Sequence, residues 1–409
     1  MYRMPKPGTQ PPLLHPPYVS SRKRAPLLPL VPLSHTLSEA TGPRFGGDPD
    51  PRATDLTRQH PEPPQGERIV VSGQVRDEDG RPLRRALVEL WQANAAGRYR
   101  HELDQHDAPL DPNFGGAGHV LTDDDGRYRF VTIRPGAYPW RNHANAWRPA
   151  HLHFSVFGHA FASRLVTQMY FPGDPLLERD PIYNCTADER ARRRLVSAFD
   201  WETTLPEHAL GYRFDMVLAG SEATPLHASA EPAPATTWQT VGPFFSIGMR
   251  RLTASEIAPE GVAGERVTIE GRVTEGDGQP VPDALLEVWQ ADALGRHGDG
   301  AAFHGFGRVA TNPEGRFRFS TVKPGATPGP DGTPQAPHLA VSVFARGLMR
   351  RLVTRAYFPD DPRNATDFVL SRVEPARRET LVARRTSDGQ LAWHVALQGG
   401  AETVFFDML

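Results

Sequence analysis

The chain has 409 residues, room for two domains of ordinary size, and its 46 Lys and Arg against 48 Asp and Glu leave a formal net charge of −2. That balance excludes a global field that would recruit nucleic acid or an anionic membrane surface. The lone cysteine, Cys185, excludes an intrachain disulfide framework and any cysteine-built zinc or iron–sulfur cluster, while 41 Pro and 37 Gly suit short strands joined by many turns, an all-β protein.

Residues 1–66 are rich in Pro, Ser and Thr without sustained periodicity and read as an extended arm. No apolar run approaches the ~20 residues that span a bilayer. The run after Arg22-Lys-Arg24 is broken by Pro26, Pro29 and Pro32, so neither signal peptide nor membrane partner is expected and the protein reads as cytoplasmic. From Glu67 the pattern becomes strand-like. Arg68–Val75 and Ala86–Trp91 flank a turn at Asp77–Gly80 and are expected to pair as antiparallel neighbours. Asp123-Asp-Asp-Gly126 is expected to be a hairpin turn, because the remaining ligand positions of a calcium loop are missing.

The stretch Trp147-Arg-Pro-Ala-His151-Leu-His153-Phe-Ser-Val-Phe157 follows. A period of two puts His151, His153, Ser155 and Phe157 on one face of a strand and Leu152, Phe154 and Val156 on the other. Two imidazoles then point one way from a rigid support, which suits metal ligation or a partly buried polar face. Further on, 187–200 is the most helix-like segment of the first half, Leu210–Gly220 reads as a closing strand, and Ser221–Thr237 is an Ala/Pro/Thr-rich linker.

After the linker the chain repeats itself. Glu67–Val75 returns as Glu265–Val273, Ala86–Asn94 as Ala284–Asp292, Ile133–Ala137 as Val322–Ala326, Ala150-His-Leu-His153 as Pro337-His-Leu-Ala340, and Tyr170–Pro175 as Tyr357–Pro362. Blocks repeated in one order at this period imply two domains of one fold. The boundaries are an arm over 1–66 that is expected to wrap the first domain, a first domain over 67–222, a linker over 223–237 and a second domain over 238–409.

The repeat is an internal control: where scaffold agrees and chemistry differs, the difference marks what one half alone needs. His151 keeps a counterpart in His338, but His153 becomes Ala340, Tyr99 becomes His297 and Tyr138 becomes Thr327. Before His338 stands Gln335-Ala-Pro, with no counterpart of Arg148. Two phenols and two imidazoles form a plausible N2O2 metal site. A phenol with a free pKa of about 10 is held ionised at neutral pH only by a strongly polarising cation, a demand ferric iron meets better than Zn(II). Tyrosines packed as core aromatics are the bland alternative.

With Ala108-Pro-Leu-Asp-Pro-Asn-Phe-Gly-Gly116, Tyr138-Pro-Trp-Arg-Asn142, Phe344-Ala-Arg-Gly347 and Glu402-Thr-Val-Phe-Phe-Asp407, the chain resembles the intradiol ring-cleaving dioxygenases. Residues from about 10 to 222 resemble an iron-bearing β subunit, and residues from about 236 to 409 an iron-free α subunit, as in a natural β-to-α fusion. The resemblance implies two homologous antiparallel β-sandwich domains with short peripheral helices and an extended amino-terminal arm. It implies one mononuclear non-haem Fe(III) per chain, held by Tyr99, Tyr138, His151 and His153. The implied reaction is cleavage of protocatechuate by O2 to 3-carboxy-cis,cis-muconate, a step of the β-ketoadipate pathway. By the same resemblance Arg148 stabilises charge developing on the ring, Gln168 supports the site, and Tyr18, Trp140, Ile182, Gly242, Pro243 and Arg346 bind substrate, Arg346 pairing with its carboxylate. A homo-oligomer of fused αβ-like units is implied as well.

One position departs from the family pattern. Where Gly-Pro-Tyr is usual, this chain has Gly242-Pro-Phe-Phe245, which puts one substrate-side hydrogen bond in doubt. Catechol or hydroxyquinol is the alternative substrate. A transthyretin-like binding module without enzymatic activity is the alternative from another class, since fold does not fix function.

Overall fold

The computed structural model describes residues 4–46, 50–220, 233–298, 303–330 and 332–408, so most of the expected linker lies outside the described residues. The chain forms two compact units. One takes Met1–Val19, Phe45–Gly158 and Ser163–Arg251; the other takes Ser20–Arg44, His159–Ala162 and Leu252–Leu409. These units divide the chain more finely than the sequence boundaries. Arm residues 20–44 pack with the second unit, and residues 238–251, beyond the linker, pack with the first.

Hydrogen bonding accounts for the placement of the arm and of the segment after the linker. The strand Arg164–Tyr170 lies at one edge of its sheet, and buried edge groups need partners. Gln239 N donates to Val166 O at 3.0 Å, Thr167 Oγ1 to Thr237 O at 2.7 Å and Gln168 Nε2 to Thr240 O at 2.8 Å. In the second unit the arm strand Val31–Leu33 pairs in parallel with Phe406–Met408.

The first unit is a two-sheet sandwich. One sheet runs in the order Ala117–Leu121, Leu87–Trp91, His151–Phe157, Arg164–Tyr170, with antiparallel neighbours throughout. The other centres on Arg68–Asp77, antiparallel to Arg127–Ile133 and parallel to Leu210–Arg213 and Met216–Leu218. Between the sheets pack Ile69, Val71, Leu90, Phe130, Leu152, Phe154 and Val156, all buried, each stabilising the fold by about 1.5–3 kcal/mol through burial.

Arg68–Asp77 and Leu87–Trp91 therefore lie in opposite sheets, where alternation suggested neighbours. The turn at Asp77–Gly80 folds the chain back only as far as an Arg76–Pro82 bridge. Arg85, at φ +51°, then lies between that bridge and Leu87–Trp91 in the other sheet. Apolar residues of both strands thus face one core from opposite sides. The turn at Asp123–Gly126 likewise links strands of different sheets and is not a hairpin. Its Asp123 carboxylate accepts Asp125 N at 3.0 Å and Arg127 N at 2.7 Å.

Two further elements are shorter than their patterns suggest. The helix within 187–200 is only Glu189–Arg193, capped by Asp188. It stops because Tyr170 captures the following backbone, donating to Leu195 O at 2.8 Å and accepting from Ser197 N at 2.9 Å. Leu210–Gly220 splits into Leu210–Arg213 and Met216–Leu218, with the Phe214 carbonyl taken by the Tyr128 hydroxyl.

The second unit repeats the sheet that matters here: Leu352–Tyr357, His338–Ala345, Ala284–Trp289 and Phe306–Ala310 lie side by side. Arg346 belongs to this unit, with Nε 3.5 Å from Asp283 and its carbonyl accepting from Arg24 at 2.8 Å. Among the described residues no helix is long and apolar enough to cross a membrane.

Candidate metal centre

With Leu152, Phe154 and Val156 committed to the core, strand geometry sends His151 and His153 to the opposite face, where both are buried. His151 Nδ1 lies 2.7 Å from the Pro149 carbonyl. A carbonyl only accepts, so Nδ1 carries the proton and the Nε2 lone pair is left free. Two phenol oxygens stand near that lone pair, Tyr138 at 3.4 Å and Tyr99 at 3.5 Å. His153 completes the set, its ring 4.9 Å from that of His151 and flat against Trp91 at an interplanar angle of 6°. Its Nδ1 has no hydrogen-bond partner among the described residues.

Local sequence explains how the two tyrosines meet. Gly97 adopts φ +81°, and a Cβ there would collide with the Ala137 carbonyl, so glycine lets the Tyr99 loop close onto the residue before Tyr138. Asp104 fixes the loop by accepting Tyr99 N at 2.7 Å. Tyr138 sits on a two-residue strand paired directly with Arg148, and the two tyrosine rings meet edge to face at 5.6 Å.

Burial dominates the electrostatics. It pushes the Tyr99 phenol well above its ordinary range, and the neighbouring Tyr138 phenol raises it further. Tyr138 is raised by burial and partly relieved by Arg148. Burial, followed by the positive charge of Arg148, drives both imidazoles well below their ordinary range, so they are neutral and available as donors. No group of three or more His, Cys, Asp or Glu gathers among the described residues. The donor set is instead two neutral imidazoles and two phenols. Such a set fits a hard, strongly polarising cation that stabilises phenolate, and it fits zinc poorly.

Around this set stand the other residues expected from the sequence. Burial opposes the Arg148 charge, but Asp180 together with Tyr138, Tyr170 and Tyr99 more than offsets it, so the guanidinium stays protonated. Nε donates to Asp180 Oδ2 at 3.1 Å, and NH2 donates to Gln168 Oε1 at 2.6 Å and to Tyr170 Oη at 3.2 Å. The Trp140 ring lies 5.4 Å from the Arg148 guanidinium carbon and 5.7 Å from the Tyr18 ring. Ile182 is buried and donates its backbone N–H to Asp180 Oδ1 at 3.0 Å. Gly242, at φ +73°, lies so close to His153 that a Cβ would touch Cε1 at 3.4 Å, which brings Pro243 with it. Phe244 packs 4.9 Å from Tyr99 and 5.2 Å from His101. Arg346, the expected partner of the substrate carboxylate, belongs to the other unit. Cys185 is an idle thiol, raised to about 12 by burial.

The second unit shows the same place rebuilt. Ala340 leaves the ring of Trp289 uncovered, and His297 stacks on it at 5.6 Å. His338 keeps its Nδ1 bond to a carbonyl, Ala336 O at 2.8 Å. Its Nε2 meets the hydroxyl of Ser38 at 2.8 Å where its counterpart meets phenols. Arginine and glutamine have exchanged positions: Gln335 stands opposite Thr327 as Arg148 does opposite Tyr138, and Arg355 stands opposite Ala340 as Gln168 does opposite His153. Arg355 pairs with Glu39 at 2.7 Å.

Asp180, Tyr170 and Trp91 were not singled out by sequence reasoning. Each has a counterpart in the other half, Asp367, Tyr357 and Trp289, so a contrast between halves classes them as scaffold.

A dioxygenase family model matches residues 40–220 and 242–399, and a model of the amino terminus of the protocatechuate 3,4-dioxygenase β subunit matches residues 2–36. The chain is similar to the protocatechuate 3,4-dioxygenase β chain of Burkholderia cepacia, with 59% identity over 221 residues, 53% of this chain and 94% of that one. It is similar to the α chain of that enzyme from Pseudomonas putida, with 42% identity over 197 residues, 43% of this chain and 98% of that one. A hydroxyquinol 1,2-dioxygenase of a Rhizobium strain is 33% identical over 130 residues, 29% of this chain and 42% of that one.

Proposed function

The chain belongs to the intradiol dioxygenase family, and from that premise we propose that it opens the ring of protocatechuate with O2 at one ferric iron held by Tyr99, Tyr138, His151 and His153. The observation that carries this reading is the meeting of two phenol oxygens at 3.4 and 3.5 Å from one imidazole lone pair. Iron in that set supplies Lewis acidity toward a catecholic diol and one-electron chemistry toward O2.

The chain's own residues prepare the rest. His151 and His153 are held neutral by burial, and the carbonyl of Pro149 orients the first of them. Burial raises the Tyr138 phenol, so only when held ionised by the cation would Tyr138 Oη accept a proton from the diol. Arg148, buried and permanently charged, favours the ionised diol and negative charge developing on the ring. Tyr18, Trp140, Ile182 and Gly242–Pro243 wall the pocket with apolar surface and backbone, excluding water from the reacting ring.

Protocatechuate is favoured because the relatives that match each part of the chain over nearly their whole length bear that substrate in their names. A specific observation keeps catechol and hydroxyquinol as a second reading: Phe244 presents a ring without a hydroxyl to Tyr99. Oxygen uptake with product identification separates them. The expected outcome is 3-carboxy-cis,cis-muconate from protocatechuate at a kcat/KM at least tenfold above that for catechol or hydroxyquinol; equal values contradict the substrate assignment.

A further inference from the structure

We propose that Asp180 is the positioning residue of the substrate pocket, holding the Arg148 guanidinium and the Ile182 backbone with the two oxygens of one carboxylate. The inference rests on reading Arg148 and Ile182 as substrate-side residues. Asp180 is fully buried. Its Oδ2 lies 3.1 Å from both Nε and NH2 of Arg148, and its Oδ1 accepts Ile182 N at 3.0 Å. A carboxylate is a rigid plane, so the pocket's charge and one of its walls are fixed to a common part.

The rest of the network leaves one edge of the guanidinium for a ligand. Nε and NH2 are engaged by Asp180, Gln168 and Tyr170, whereas NH1 makes no hydrogen bond among the described residues. Gln168 and Tyr170 are anchored in turn, Gln168 Nε2 on Thr240 O at 2.8 Å and Tyr170 Oη toward Gln239 Oε1 at 3.1 Å. Without Asp180 the guanidinium keeps only neutral partners on NH2 and is free to pivot about them.

The second unit supplies the control. Its equivalent aspartate, Asp367, is also fully buried, but it takes the N–H groups of Val369, Leu370 and Ala336 and the hydroxyl of Tyr357. Gln335 stands where the arginine would be. Holding a turn is therefore common to both halves, and gripping a guanidinium is confined to the half with the phenol–imidazole site.

The test uses the iron-loaded full chain and three variants. Asp180→Asn is expected to keep the iron content and the resting visible spectrum, yet raise KM for protocatechuate about tenfold and lower kcat, as loss of an outer support for a site does. Asp180→Glu, which keeps the charge on a longer stem, recovers part of the loss. Asp367→Asn lowers the melting temperature and leaves KM unchanged. Wild-type KM and kcat in iron-replete Asp180→Asn overturn the proposal, and so does an equal KM shift in Asp367→Asn. If Asp180→Asn does not fold, the same kinetic constants of Asp180→Glu decide: a raised KM supports the grip and wild-type values overturn it. Absence of oxygen uptake in the wild-type protein overturns the reading beneath and the proposal with it, and is seen before any variant is made.

Discussion

Gly242 places backbone against the His153 ring at a φ of +73°, a conformation that costs other residues about 1–2 kcal/mol. Gly242→Ala adds a Cβ at 3.4 Å from Cε1 to that strain. It is expected to lower unfolding free energy in urea by about 1–2 kcal/mol and to weaken iron retention on dialysis; unchanged retention contradicts the placement. Arg148→Ala, which removes a buried charge aimed at the phenols, is expected to lower kcat/KM about 10²-fold while iron stays bound. In the second unit burial lowers His297 to about 4 and His338 to about 3, below the ordinary 6.5. The unfolded chain then binds more protons than the folded one. The stabilisation is complete above about 6.5 and lost as pH falls toward 4 and 3, on the order of 1.4 kcal/mol per unit for each histidine. Between pH 6.5 and 4 the melting temperature should fall, and His338→Gln should flatten that slope; a wild-type slope in the variant contradicts it. Tyr99, Tyr138 and His153 were legible in the sequence because the second half loses them, whereas Asp180 and Tyr170 were not, because it keeps them.

The strand His151–Phe157 separates two jobs by parity. Its even-numbered residues fill the core and its odd-numbered histidines lie on the opposite face, where His151 meets the phenols. Leu152→Ala should cost about 2–5 kcal/mol in urea unfolding, and a cost under 1 kcal/mol contradicts the assigned face. The arm helix Leu37–Ala40 is anchored in a different way. Thr36 caps it, and Glu39 is buried against Arg355 at 2.7 Å. Glu39→Gln leaves a buried guanidinium without its counter-charge, so a loss of about 3–5 kcal/mol is expected by the same measurement. Alternation made strand faces readable, but not which strands pair. Arg68–Asp77 and Leu87–Trp91 both alternate correctly, and only the short bridge at Pro82 and the left-handed Arg85 send them to different sheets.

At the scale of the molecule, one sandwich sheet is built twice, and its differences concentrate at one place. Trp91 and Trp289, His151 and His338, and Tyr170 and Tyr357 keep their stations, while an ion pair and a hydroxyl in the second unit replace two phenols and an imidazole in the first. The repeat blocks made the two-domain organisation legible. They did not reveal that residues 20–44 and 238–251 pack with the unit other than their own half, because edge pairing depends on which groups lack partners in three dimensions. Iron per chain tests the central claim most directly, measured on the purified protein and on His153→Ala, which copies Ala340 of the second unit. One iron per wild-type chain and a near-complete loss in the variant are predicted. Two irons per chain, or full iron in His153→Ala, would contradict the assignment of Tyr99, Tyr138, His151 and His153 as the metal site.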